Sequence, residues 1–87
     1  MRVVLVDNHA LVRAGLRLLL SAESDIAVVA DVDSGEEALE AVARHSPDVV
    51  VMDLSMPGMS GLECTRHLVG CAPRTRILVL TRFIDYA

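Results

Sequence analysis

Four short, unbroken apolar runs constrain this chain more than any other feature. They are Val3-Val4-Leu5-Val6, Ile26-Ala27-Val28-Val29-Ala30, Val49-Val50-Val51-Met52 and Ile77-Leu78-Val79-Leu80. None alternates with polar residues, so none reads as a strand with one wet face. Continuous runs of four or five residues, rich in β-branched side chains, are the habit of strands buried on both faces of a parallel sheet. Aromatic residues make up only 2% of the sequence, so the core those strands build is aliphatic.

The stretches between the runs carry helix signals. From about His9 to Ser21, Leu11, Val12, Leu16, Leu19 and Leu20 recur at helical spacing, and Arg13 and Arg17 share a different face. Ser34-Gly35-Glu36-Glu37 has the form of a capping box, in which the serine oxygen and Glu37 answer each other's backbone N–H groups. That helix is expected to run to about His45 and stop before Pro47. Ser60-Gly61-Leu62-Glu63 opens a third helix in the same way, and Gly70 and Pro73 close it. The order is β-α-β-α-β-α-β, with Asp85-Tyr86-Ala87 starting a further helix. Such alternation implies an α/β fold with right-handed crossovers, one domain over 1–87. Its fourth strand leaves an edge uncovered.

The chemistry is expected at the carboxyl ends of the strands. The first run ends in Asp7-Asn8-His9, the second in Asp31, the third in Asp53-Leu54-Ser55 and the fourth in Thr81. In open α/β sheets ligands bind beyond those ends, where the strand order reverses. If the first strand lies between the second and third, Asp7, Asn8 and Asp53 converge in one crevice, with Thr81 one strand away. Two carboxylates there repel each other, and a hard divalent cation with oxygen ligands, Mg²⁺ above all, relieves that repulsion. Such an ion also screens an incoming phosphoryl group, so that Asp53 can act as a nucleophile. Pro57 and Gly58, in Met56-Pro57-Gly58, favour a tight turn beside it.

Asp7, the segment from Val50 to Gly61 and Ile77-Leu78-Val79-Leu80-Thr81 resemble the receiver domains of bacterial two-component response regulators. The opening from Val3 to Leu16 is similar to the LuxR-type (NarL/FixJ-like) subfamily, whose members carry a C-terminal helix-turn-helix. The resemblance spans the whole chain. It implies a flavodoxin-like (CheY-like) doubly wound sheet, with Asp53 phosphorylated by a sensor histidine kinase. It further implies that Asp7 holds Mg²⁺ through water, Asp53 holds it directly, and the backbone carbonyl of Ser55 adds a ligand. Thr81 is then the switch hydroxyl that bonds the phosphoryl oxygen, and the added charge biases a two-state element. Two departures stand out. Asn8 occupies a position that is acidic in the family, so Mg²⁺ is expected to bind more weakly. The family also continues through a fifth strand bearing a lysine and a final helix; this sequence has no lysine at all and is read as a receiver lacking both.

Several other function classes recede. All eight cationic residues are arginine and the net charge is -4, so the basic footprint of a nucleic-acid binder is missing from this segment. No apolar stretch approaches the roughly 18 residues of a membrane span, and the start is not a signal peptide. Cys64 and Cys71 match no zinc spacing and are read as structural thiols of a cytoplasmic protein. His9 is read as a helix-start residue rather than a ligand, and Met56 and Met59 as packing residues. Asp7-x-His9 is faintly similar to a cobalamin-binding Asp-x-His-x-x-Gly pattern, but Val12 stands where that pattern needs glycine. A hydrolase with Asp53 as nucleophile lacks a general acid two residues on, where Ser55 stands, so a signalling module rather than an enzyme is expected. The alternative is a degenerate, phosphorylation-independent interaction module. The uncovered strand edge and the apolar first helix point to a homodimer.

Overall fold

The computed structural model describes residues 1–54, 56 and 58–80. The elements are β1 (Arg2–Val6), α1 (Ala10–Ser21), β2 (Ala27–Val32), α2 (Gly35–His45), β3 (Val49–Asp53), α3 (Gly61–Cys71) and β4 (Arg76–Leu80). The four strands form one parallel sheet in the order β2-β1-β3-β4. The chain reverses its direction of travel across the sheet between β2 and β3, and the crevice at the switch lies between β1 and β3. This is the parallel α/β architecture that the apolar runs demanded.

Burial follows the alternation of side chains across the sheet. Val4, Val6, Val50 and Met52 point to the side covered by α2 and α3, where Ala38, Ala41, Val42, Cys64 and Leu68 meet them. Val3, Leu5 and Val51 point to the opposite side, where only partly buried Leu16, Leu20, Ile26 and Val28 and the strand residues Val49 and Leu80 pack on them. Among the described residues the two faces are therefore unequally clothed. No residue of α1 is buried, and Leu11 and Leu19, expected in its apolar stripe, are 86% and 70% exposed. The helix presents Leu16 and Leu20 to the sheet, and its remaining leucines stand off it.

Helices α2 and α3 start as the sequence implied. The Ser34 hydroxyl oxygen accepts from the Glu37 N–H at 3.2 Å, and the Ser60 oxygen from the Glu63 N–H at 3.1 Å. The reciprocal half of the first capping box differs. The Glu37 carboxylate accepts from the Asp33 N–H at 3.4 Å, one residue before Ser34. At its other end α2 stops on Ser46, which takes the left-handed conformation (φ 44°, ψ 58°) just before Pro47.

β2 begins and ends later than the apolar run suggested. Its pairing with β1 slips by one residue between Val3 and Val4: Val3 pairs with Val28, Val4 with Ala30, and Leu5 with Asp31. Val29 is the extra residue of this bulge, and both Val29 and Ala30 pack on the α2 side. The slip moves Asp31 into the strand, beside Leu5, and turns it toward α1.

Candidate functional site

Asp7 follows β1 directly, and Asp53 is the last residue of β3. Both belong to central strands whose apolar side chains are packed on both faces, so both carboxylates are held where solvent barely reaches. Their exposures are 2% and 1%. A ligand atom from each, together with a ring nitrogen of His9, lies within 4.8 Å of the others. The crevice expected between β1 and β3 is there, and it gathers an imidazole as well as two carboxylates.

The Asp7 loop is fixed by local hydrogen bonds. The Asp7 N–H donates to the Val32 carbonyl at 3.1 Å, continuing the β1–β2 ladder. Its Oδ1 accepts from the His9 N–H at 2.7 Å, an Asx turn that ends the strand and starts α1. His9 is the N-cap of α1 and makes no side-chain capping bond; its Nδ1 stands 3.4 Å from Asp7 Oδ1. Between them, Asn8 Oδ1 is the buried side-chain oxygen that has no hydrogen-bond partner among the described residues. A buried amide oxygen left in that condition costs about 1–3 kcal/mol unless something else binds it. The two buried carboxylates offer oxygen donors suited to a hard divalent cation, and the unsatisfied Asn8 oxygen follows Asp7 directly in the chain.

A second layer supports the crevice from α1. Arg13 donates through Nη1 to the backbone carbonyl of Asp7 at 2.7 Å and through Nε to Asp31 Oδ1 at 3.0 Å. Arg17 donates to the other oxygen of the same carboxylate. The shared face of Arg13 and Arg17 was legible in the sequence; that Asp31 would be their common partner was not, because only the β2 bulge places it there.

On the other side, the backbone of Asp53 and Leu54 packs against the start of α3. A Cβ on Gly61 would meet the Asp53 carbonyl oxygen at 2.2 Å. Gly58 takes φ +73°, the turn conformation that glycine tolerates without strain, and Met56 is buried in the α2–α3 core. Ser55 and Thr81, expected to supply a carbonyl ligand and a switch hydroxyl, lie outside the described residues.

Comparison with known proteins gives this geometry a family. Residues 3–87 match the response regulator receiver domain. The chain belongs to the response regulator receiver family. It is 45% identical over 86 residues to the oxygen regulatory protein NreC of Staphylococcus haemolyticus, and equally to that of Staphylococcus aureus strain JH9. In both cases 98% of this chain aligns, and it spans 40% of the relative's length. Among solved receivers, a LuxR-family response regulator from Aurantimonas sp. SI85-9A1 superposes with a TM-score of 0.89 at 40% identity. That alignment covers 97% of this chain and 60% of the other. The receiver domain of the response regulator NarL from Mycobacterium tuberculosis gives 0.89 at 36% identity, over 97% and 68%. This is the receiver domain, with the CheY-like sheet, that Asp7 and Asp53 suggested, and the relative from Aurantimonas sp. SI85-9A1 is of the LuxR type to which the opening segment is similar. Receivers are signalling modules. No helix among the described residues is long and apolar enough to cross a membrane.

Proposed function

We propose that this receiver accepts a phosphoryl group on Asp53 from a sensor histidine kinase and so controls an output domain of the LuxR type. One observation carries the reading: Asp53 and Asp7, both almost fully buried, are brought together at the carboxyl ends of the two central strands. Burying two like charges side by side is costly, and the arrangement is rational where a cation and a transferred anionic group complete the site. In the transfer, a carboxylate oxygen of Asp53 attacks the phosphorus of the donor phosphohistidine. The P–N bond breaks, its electron pair returns to the donor imidazole, and an acyl phosphate forms. Asp7, Asn8 and Asp53 are the residues here that would hold Mg²⁺, with the Ser55 carbonyl and the Thr81 hydroxyl as the further ligand and switch group. A bound divalent ion supplies charge neutralisation to the phosphoryl oxygens. The chain's own groups do the rest: Asp53 is presented on a rigid strand end, and Asp7 is pinned by its Asx turn and by Arg13.

The test is intact-mass spectrometry after incubation with acetyl phosphate and Mg²⁺. The wild-type chain is expected to gain one phosphate and Asp53→Ala none. No gain under saturating donor would overturn the phosphoacceptor reading in favour of a phosphorylation-independent interaction module, which Asn8 favours by removing one negative charge from the pocket.

Self-association is part of the same proposal. Leu11, Leu18 and Leu19 of α1 are exposed, and an apolar helix face of this kind suits an interaction surface. Sedimentation equilibrium is expected to show a homodimer, and a monomer across the accessible concentration range counts against it.

A further inference from the structure

The imidazole of His9 has no part in the receiver chemistry described above, yet it lies with the two carboxylates inside a 4.8 Å cluster. We infer that His9 is a third side-chain ligand of the acid pocket, and that the pocket takes an imidazole-tolerant divalent transition ion, Mn²⁺ or Co²⁺ in class, in preference to Mg²⁺. The inference rests on the reading of this pocket as the cation site of a phosphoacceptor.

Three observations support it. The first is position. An octahedral ion sets neighbouring donors about 3 Å apart and opposite ones about 4.2 Å apart. His9 Nδ1 and Asp7 Oδ1 are 3.4 Å apart, and one ligand atom from each of Asp7, His9 and Asp53 lies within 4.8 Å of the others. The second is how His9 is held. Its backbone N–H is tied to Asp7 Oδ1 at 2.7 Å, and its ring is not used to cap α1. The ring is half exposed, at 52% of the side chain, and is reachable from solvent. The third is charge and softness. The position next to Asp7 is the neutral Asn8, whose buried Oδ1 has no partner among the described residues. The pocket thus offers two carboxylates and a nitrogen donor, with no acidic side chain at the residue next to Asp7. Mg²⁺ is held by oxygen and parts reluctantly with its water, whereas Mn²⁺, Co²⁺ and their neighbours accept imidazole readily and gain from it in the Irving–Williams order.

The experiment compares wild type, His9→Ala and His9→Asp. Mn²⁺ binding is followed by electron paramagnetic resonance, Mg²⁺ binding by competition with Mn²⁺, and Co²⁺ by its visible spectrum. Oxygen-only sites also favour Mn²⁺ somewhat, so the informative quantity is the change in the Mn²⁺/Mg²⁺ affinity ratio on removing the ring. That ratio is expected to fall about tenfold in His9→Ala, with Mg²⁺ affinity itself held within about twofold. His9→Asp, which swaps nitrogen for carboxylate, is expected to shift the preference toward Mg²⁺. In wild type, bound Co²⁺ should show the ligand-field change of a nitrogen donor, absent in His9→Ala. Far-UV circular dichroism checks that each variant folds. An unchanged ratio and Co²⁺ spectrum in His9→Ala overturn the inference; if Asp53 is still phosphorylated with Mg²⁺, the phosphoacceptor reading survives that failure. Absence of any divalent ion binding to wild type overturns both.

Discussion

Gly61, the first residue of α3, packs directly on the backbone of Asp53: a Cβ there would stand 2.2 Å from the Asp53 carbonyl oxygen and 2.7 Å from Leu54 Cα. The obstacles are main-chain atoms, so no rotamer change relieves the clash. Helix propensity alone favours alanine over glycine by about 1 kcal/mol, whereas overpacking costs about 1–3 kcal/mol. We expect the steric effect to win, with Gly61→Ala lowering the urea midpoint. Gly15, in α1, has nothing within 4 Å of its would-be Cβ, and Gly15→Ala is expected to raise the midpoint by the propensity gain of about 1 kcal/mol. Opposite signs for two chemically identical substitutions are the result to look for. Because the Gly61 clash falls on the Asp53 peptide, Gly61→Ala should also slow phosphorylation of Asp53, and Gly15→Ala should not.

Ser34 and Ser60 cap α2 and α3 through one hydrogen bond each. Replacement by alanine leaves a helix N–H group without its acceptor and is expected to cost about 1 kcal/mol at either position. Ser60→Ala acts on the helix that abuts Asp53, so hydrogen exchange at the first turn of α3 should rise more than elsewhere. Asp or Asn at either site should retain most of the stability, and a thermal melt that ranks alanine equal to aspartate would contradict the capping role.

The two cysteines are expected to differ sharply. Cys64 is fully buried in the α2–α3 core, with its Sγ 3.5 Å from the Gly35 carbonyl oxygen to which it donates. Burial, with smaller contributions from Glu36 and Cys71, pushes its thiol from 9.0 up to about 11. Cys71 is exposed. At pH 8, Ellman's reagent should titrate Cys71 at once and Cys64 only as fast as the fold opens. The raised value also has a linkage consequence. The folded chain holds the Cys64 proton more tightly than the unfolded one, so its contribution to stability is complete below about pH 9 and is lost as pH rises toward 11. Cys64→Ala should flatten that alkaline fall, although its cavity lowers stability at neutral pH.

Much of this was legible in the residues because burial on both faces leaves a simple pattern. Val3–Val6 and Val49–Met52 have no polar residue to confuse the strand assignment, and Asp7 and Asp53 follow at once. The α1 stripe misled because α1 covers only part of its side of the sheet. Leucines at Leu11 and Leu19 fit helical spacing, yet the spacing cannot say how much surface the helix meets. His9 was read as a helix-start residue, and it is one; its nearness to Asp53 depends on two strands meeting far apart in the chain. The bulge at Val29 depends in turn on how β2 registers against β1. No local motif marks it, and everything it positions was hidden with it.

The Asp31 cluster created by that bulge yields the last prediction. Arg13 spans two partners, the Asp7 carbonyl at 2.7 Å and Asp31 Oδ1 at 3.0 Å, and is mostly shielded from solvent, whereas Arg17 holds the same carboxylate from a more exposed position. Exposed ion pairs contribute about 0–1 kcal/mol; charge-assisted bonds made in partial burial contribute about 1.5–3 kcal/mol. Arg13→Ala is therefore expected to destabilise the chain by clearly more than Arg17→Ala in urea titrations. Lysine at position 13 should not rescue it, since one ammonium cannot reproduce the two divergent bonds of the guanidinium fork. A double-mutant cycle with Asp31→Asn separates the roles. Coupling between Arg13 and Asp31 should account for part of the loss, and the remainder belongs to the Asp7 carbonyl. That remainder is functionally visible: freeing the Asp7 loop loosens the carboxylate facing Asp53, so Arg13→Ala should weaken divalent ion binding while Asp31→Asn, which leaves the bond to Asp7 in place, should weaken it less. Equal effects of the two substitutions on ion binding would show that Arg13 acts through the ion pair alone.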